Sequence, residues 1–298
     1  MDIKKYQYIG FGSFLFDDFK ILHSQLGILN MISLESNADI CLRAQFNKPY
    51  KCIEVQHTTS SNFISRVLIE SPSIFWLDYT DPKDLGIQFA DFSNLIGKMN
   101  ALDIVRITLN ANPNTLYDQN QKVDTQEREI QKKRFDELRE RIGEYIPSNA
   151  DVKNISKQEY PKLLLSCLEM AARHRLSPSK FQKKYLFPLF STVYADGQQM
   201  VTLTAIVLNS EKQDKAIQKC LKLHDYINFK WDEPYNIQAP LLTVKEIIHI
   251  NSLLVGETNN DIKNECKLDF QNKTGLKDEV DNYEKYYKYY PNFHHVNL

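Results

Sequence analysis

Apolar residues fall along the first third of the chain in short runs, separated by longer stretches in which they recur periodically. Residues 6–10 are an aromatic and β-branched run that stops at Gly10-Phe11-Gly12-Ser13, which predicts a strand ending in a turn. Residues 14–26 follow with apolar side chains at 15, 16, 19, 22 and 26, a helical spacing, and Gly27 is placed to cap it. Runs at 31–34 and 50–55 predict two further strands, with a short helix or turn at 39–46 between them. Residues 73–77 form the run expected of a strand buried on both faces of a parallel sheet, and Asp78 ends it. A helix at 89–99 and a strand at 103–109 complete the series.

Five short strands separated by helix-sized segments predict a Rossmann-like α/β fold, a mostly parallel sheet with helices on both faces. Right-handed crossovers then set the loops after every strand on one edge, where open α/β sheets bind their ligands. The pattern changes after residue 112. Residues 122–141 alternate charges of both signs around a narrow stripe of Val123, Ile130, Phe135, Leu138 and Ile142, which predicts a solvated amphipathic helix. A second helix is expected at 160–173, with Pro161 suited to its first turn, so 113–186 reads as a helical insertion. Residues 187–194 and 199–208 flank Asp196-Gly197 and read as an antiparallel hairpin that ends the sheet. Thr243 and Glu246 form a capping box before a helix at 244–254. The expected organisation is therefore 1–112, a Rossmann-like cofactor-binding half; 113–186, the insertion; 187–256, the rest of the sheet and a capping helix; and 257–298, a polar loop and a tyrosine-rich tail. In that tail Tyr283, Tyr286, Tyr287 and Tyr290 share one helix face, the spacing of core packing.

Composition narrows the classes. Apolar residues make up 42% and aromatics 11%, enough for a sizeable core and against a disordered chain. A net charge of −1 gives no global basic field, and Lys132-Lys133-Arg134 is interleaved with acids, so direct nucleic-acid binding is not expected. No apolar stretch reaches the ~18–20 residues of a membrane helix, and the lysines of residues 1–5 precede no apolar segment. With five scattered cysteines and no C-x-x-C, the expectation is a cytoplasmic protein with reduced thiols and no metal site. Glycine is scarce, 9 of 298 residues, and Gly10 and Gly12 are the one closely spaced pair.

That pair sits where a strand gives way to a helix, so the backbone can turn sharply and approach a ligand. Glu35 lies 23 residues beyond Gly12, at the end of the next strand, and an acid at about that offset accepts hydrogen bonds from ribose hydroxyls. Position 15 is Leu where a dinucleotide loop has its third glycine. Asp78 faces the same crevice and has the chemistry to orient an acceptor or remove its proton; an Asx-turn is the structural alternative, and it is favoured for Asp81. The His57-Thr-Thr-Ser-Ser61 loop is placed to contact an adenine, with a solvent-exposed hydroxyl cluster the favoured alternative. G-x-S-x-G, H-E-x-x-H and the P-loop are all absent.

Over about the first 110 residues this arrangement resembles the class I S-adenosylmethionine-dependent methyltransferases, and its overall pattern a divergent bacterial O-methyltransferase-like group. The resemblance implies that Gly10, Gly12 and Ser13 hold the methionine part of the cofactor, that Glu35 binds its ribose, and that Asp78 lies at the substrate. Tyr79 and Pro82 resemble the aromatic and proline of amino-methyltransferase fourth motifs. Two readings of function remain. One is methyl transfer to an acceptor the sequence does not name. The other is a catalytically inactive scaffold in a complex such as a prokaryotic antiviral defence assembly, docking a protein partner through the 122–141 helix or the C-terminal tail.

Overall fold

The computed structural model describes residues 2–117, 127–176, 184–222, 224, 227–237, 242–254 and 275–289. The first half alternates strand and helix: β1 (Gln7–Gly10), α1 (Asp17–Leu26), β2 (Asn30–Glu35), α2 (Ala38–Asn47), β3 (Ile53–His57), α3 (Ser60–Arg66), β4 (Ser73–Asp78), α4 (Leu85–Lys98) and β5 (Ile104–Asn110). Two helices follow, α5 (Glu127–Ile142) and α6 (Tyr160–Arg175), then the long hairpin β6 (Tyr185–Asp196) and β7 (Gln198–Leu208), α7 (Glu211–Leu221) and the two-residue β8 (Tyr235–Asn236). The fold is Rossmann-like: one eight-stranded sheet in the order β3-β2-β1-β4-β5-β7-β6-β8, with β1 to β5 parallel. Strand β7 runs antiparallel to both β5 and β6, and it closes the hairpin at Gly197, whose φ of 71° suits glycine.

The order reverses direction between β1 and β4, so the carboxyl ends of these neighbours diverge into opposite crossovers and leave a crevice. One face of the sheet, carried by Ile9, Phe75, Leu77, Val105, Ile107 and Leu203, is predominantly apolar. Helices α4, α5 and α6 cover it in a single cluster with Phe92, Leu138 and Leu164 fully buried, so the apolar stripe expected near 122–141 serves the core from Phe135 to Ile142. The other face is covered over β1–β3 by a smaller cluster of Tyr8, Phe16, Phe19, Met31 and Ile53. At the base of β4 and β5, Asp103 is 1% exposed and accepts the backbone N–H groups of Ser73 at 2.8 Å and Asn100 at 2.6 Å.

Local geometry moves several boundaries. Helix α1 starts at Asp17, not at 14, because Ser13 (φ 47°) and Phe16 (φ 56°) take left-handed conformations. The polar loop expected after β3 becomes α3, started by Thr59, whose Oγ1 accepts from Asn62 N at 3.2 Å. Helix α4 begins four residues before position 89, at Leu85.

Residues Ile237–Leu298 form a second compact unit, with α8 (Val244–Leu253) and α9 (Gly275–Tyr286). The Thr243–Glu246 capping box is present. Tyr283 is 2% exposed, packs with Ile250 and Val280, and donates its hydroxyl to Asn251 Oδ1 at 2.8 Å. Tyr290 and the polar segment expected from 257 lie outside the described residues. Among the described residues no helix is long and apolar enough to cross a membrane.

Candidate functional site

The five parallel strands end at Gly10, Glu35, His57, Asp78 and Asn110, so one edge of the sheet collects all of these residues. Register pairing aligns Gly10 with Ser33, Glu35 with His57, and Asp78 with Thr108. The glycine turn thus leaves the sheet at the switch point, with Glu35 one strand to one side and Asp78 one strand to the other. At about 4.8 Å per strand, the strands bearing the two carboxylates straddle β1 with roughly 10 Å between them. Glu35 and His57 are brought directly together, while Asp78 occupies the opposite flank.

The turn is glycine-rich because the protein packs against it from below. A Cβ on Gly12 would lie 2.7 Å from Ser33 Oγ and 2.8 Å from the rings of Phe16 and Phe19. A Cβ on Gly10 would lie 2.6 Å from the hydroxyl of Tyr8. Gly12 N donates to Ser33 Oγ at 3.1 Å, fastening the turn to β2. Ser13 is exposed and its Oγ accepts from Leu15 N at 3.2 Å. Leu15, at the position of the missing third glycine, is 54% exposed and does not crowd the turn. Phe16 holds a left-handed conformation costing ~1–2 kcal/mol while fully buried, so packing with Phe19 offsets the strain.

Acids dominate the charge here. Asp17 and Asp18 fill the first turn of α1, so the helix's positive end is matched by its own carboxylates. The buried Tyr8 hydroxyl donates to Asp18. Burial raises the Asp18 carboxyl above its ordinary range, with the bonds from Tyr8 and Phe19 N pulling the other way. Tyr8 is itself held well above its usual value by burial and then by the Asp18 charge.

Glu35 is half-buried, and its Oε1 accepts from Asn37 N at 2.8 Å. His57 Nε2 lies 3.0 Å from the Ser36 carbonyl, which only accepts, so Nε2 carries the hydrogen and braces the loop after Glu35. Asp81 caps the turn Pro82–Asp84 by accepting from Lys83 N at 2.9 Å.

Beyond Asp78 the sheet carries a polar block of two rows. Trp76, Arg106 and Thr204 form one row across β4, β5 and β7, and Asp78, Thr108 and Thr202 the other. Thr108 joins the two rows: Trp76 Nε1 donates to its Oγ1 at 3.2 Å, and Thr202 Oγ1 donates to the same oxygen at 3.2 Å. The Arg106 guanidinium lies 4.3 Å over the Trp76 ring, and both its buried Nε and the buried Thr204 Oγ1 lack a hydrogen-bond partner. Burial lowers its pKa, while Tyr194 and Asp78 favour the charged form. Sequence reading did not single out Arg106, although a charged residue inside the run Ile-Val-Arg-Ile-Thr-Leu was the available signal.

The loops are also joined. Asp91 of α4 is 3% exposed, and its Oδ2 accepts from Tyr79 Oη at 2.8 Å and from Ser60 Oγ at 2.6 Å. The Tyr79 ring packs edge-on against Phe11, centroids 5.5 Å apart. Burial, then the Asp91 charge, raises the Tyr79 phenol, which stays protonated as a donor. Tyr79 therefore has its hydroxyl committed to Asp91.

A family model described as "Putative O-methyltransferase" matches residues 1–298. No curated protein matches the chain. Among solved structures it is similar to a "putative O-methyltransferase from Klebsiella pneumoniae", at 11% identity over 68% of this chain and 73% of that one, TM-score 0.36. It is also similar to Trm1 from Pyrococcus horikoshii, solved with S-adenosyl-L-methionine, at 8% identity over 73% of this chain and 55% of that one, TM-score 0.43.

Proposed function

The chain belongs to this O-methyltransferase family, and from that premise we propose that it binds S-adenosylmethionine across the β1/β4 switch point. The observation that carries the reading is the delivery of the Gly10–Gly12 turn, Glu35 and Asp78 to one edge by adjacent strands. The donor set fits. The edge is acidic, and the first turn of α1 is filled by its own aspartates, which suits a ligand bearing a sulfonium and an ammonium better than a pyrophosphate. Glu35 Oε2 has no hydrogen-bond partner among the described residues and is the acceptor for the ribose hydroxyls. His57 positions the Glu35 loop and lines the adenine side, while the turn from Gly10 to Ser13 lies along the methionine part.

When bound, the cofactor supplies an electrophilic methyl group on a sulfonium whose departure leaves a neutral thioether. The protein's task is chiefly alignment. Asp78 is assigned to the acceptor's nucleophile: it orients the nucleophile's hydrogen and accepts the proton as the bond to carbon forms. The block of Trp76, Arg106 and Thr108 beside it forms the floor of the acceptor side.

Calorimetric titration with S-adenosylmethionine tests the assignment. Wild-type protein binds, and Glu35→Ala weakens binding by about tenfold or more, the loss expected for hydrogen bonds to a charged acceptor, with an unchanged melting curve. A wild-type protein that gives no heat would overturn the cofactor reading and leave the inactive scaffold. Partner docking through the exposed charged side of α5 would then be the question, addressed by co-purification.

A further inference from the structure

The loops that edge the crevice come from different strands, and side chains tie several of them together. After β3 comes Ser60, after β4 comes Tyr79, and after β1 comes Phe11 between the two glycines. One buried carboxylate oxygen, Asp91 Oδ2, receives the hydroxyls of Ser60 and Tyr79 from positions 31 and 12 residues away. The other side of Tyr79 reaches Phe11 through its ring, and its backbone N–H donates to Thr108 O at 3.1 Å, holding the residue next to Asp78 against β5. We propose that Asp91 and Tyr79 form a positioning clamp that holds the glycine turn, the Asp78 loop and the start of α3 in one fixed arrangement. Its catalytic meaning rests on the reading that this edge binds the cofactor; its geometry does not.

The clamp joins otherwise independent pieces. The glycine turn has one described side-chain fastening toward β2, Gly12 N to Ser33 Oγ, while Phe11 packs on the core cluster and meets the Tyr79 ring edge-on. Because the acceptor of both hydroxyls is buried in α4, whose Phe89, Phe92, Leu95 and Ile96 are all fully buried, the loops are referenced to a helix set deep in the core. Tyr79 is thus a positioning residue: it sets where the turn and Asp78 stand relative to each other, without a hydroxyl to offer a substrate.

Amide hydrogen exchange on the free, full-length protein tests this. Tyr79→Phe keeps the ring and removes the hydroxyl, so exchange at residues 10–16 and 78–84 rises by about five- to tenfold, the equivalent of one hydrogen bond. Exchange in α6 stays at the wild-type rate. Ser60→Ala raises exchange at 57–62 alone, because Ser60 does not touch Phe11. Asp91→Asn, which keeps an acceptor oxygen, gives a smaller rise at 10–16 than Tyr79→Phe. The clamp is overturned if Tyr79→Phe leaves 10–16 at the wild-type rate, or if exchange rises equally in α6, the signature of general destabilisation. Titration of the same proteins with S-adenosylhomocysteine separates the two claims: local loosening without any wild-type binding sinks the cofactor reading and leaves the clamp standing. Unchanged exchange with normal binding does the reverse.

Discussion

The two faces of the central sheet are built by the same strands and differ in how continuously they bury apolar residues. Beneath α4, α5 and α6 the inward positions from Ile9 to Leu203 are mostly apolar, with Ser73 and Ser191 the buried exceptions, and the core is continuous. On the opposite face one apolar cluster lies over β1–β3 and another, with Leu189, Ile206 and Leu208, over β5, β7 and β6, and between them β4, β5 and β7 carry Trp76, Asp78, Arg106, Thr108, Thr202 and Thr204. Unpartnered buried polar atoms occur on both sides, among them Ser191 Oγ on the first and Arg106 Nε and Thr204 Oγ1 on the second. The contrast sets one continuous core against a face on which a polar block lies between two smaller apolar clusters.

The contrast is broken most severely from the apolar side. Phe92→Ala empties a fully buried site between α4 and the sheet, and a loss of about 3–5 kcal/mol is expected. Urea unfolding should show a lower midpoint at unchanged slope. On the polar face, Thr108→Val removes the shared acceptor of Trp76 and Thr202 and should cost about 1–2 kcal/mol. An equal loss at both sites would erase the distinction between the faces. Arg106→Met probes the same block more gently: it deletes a poorly satisfied charge, so stability should change by less than about 1 kcal/mol, in either direction. A loss as large as that of Phe92→Ala would make Arg106 a structural residue and remove it from the acceptor side.

The smallest effect is a pH dependence at Asp18. Its carboxyl is raised by burial above the ordinary 3.8, so the folded protein holds that proton more tightly than the unfolded chain does. The stability this group contributes is fully present below the unfolded value and is lost as pH rises through the folded one. Asp18→Asn should therefore melt close to wild type near pH 3.5 and above it at pH 7, the difference opening between those limits. A difference that stays flat with pH would mean that Asp18 is not desolvated in the folded state.

Much of the site is legible in the sequence because strand ends are local events. An apolar run that stops at Gly10, Glu35 or Asp78 marks the end of a strand, and alternating crossovers bring those ends to one edge. The scarcity of glycine draws the eye to Gly10 and Gly12, yet the reason for them is tertiary: Tyr8, Phe16, Phe19 and Ser33 occupy the space a Cβ would need. Helix α3 escaped notice because hydroxyl residues suit loops and caps alike, and Thr59 turned out to be a cap. The start of α1 was misplaced because no residue type announces Phe16 in a left-handed conformation.

By itself, then, the sequence determined the fold class, the succession of the five parallel strands and the ends of three of them at Gly10, Glu35 and Asp78, since run length, alternation and turn chemistry act over a few neighbours; the third and fifth run on to His57 and Asn110. Only the tertiary structure decided the order β3-β2-β1-β4-β5-β7-β6-β8, which places Glu35 and Asp78 on opposite flanks of the glycine turn. It alone placed Arg106 over Trp76 and joined Ser60, Tyr79 and Asp91. Such pairings depend on which surfaces pack together once the apolar face is buried, and partners tens of residues apart leave no periodic trace in the chain.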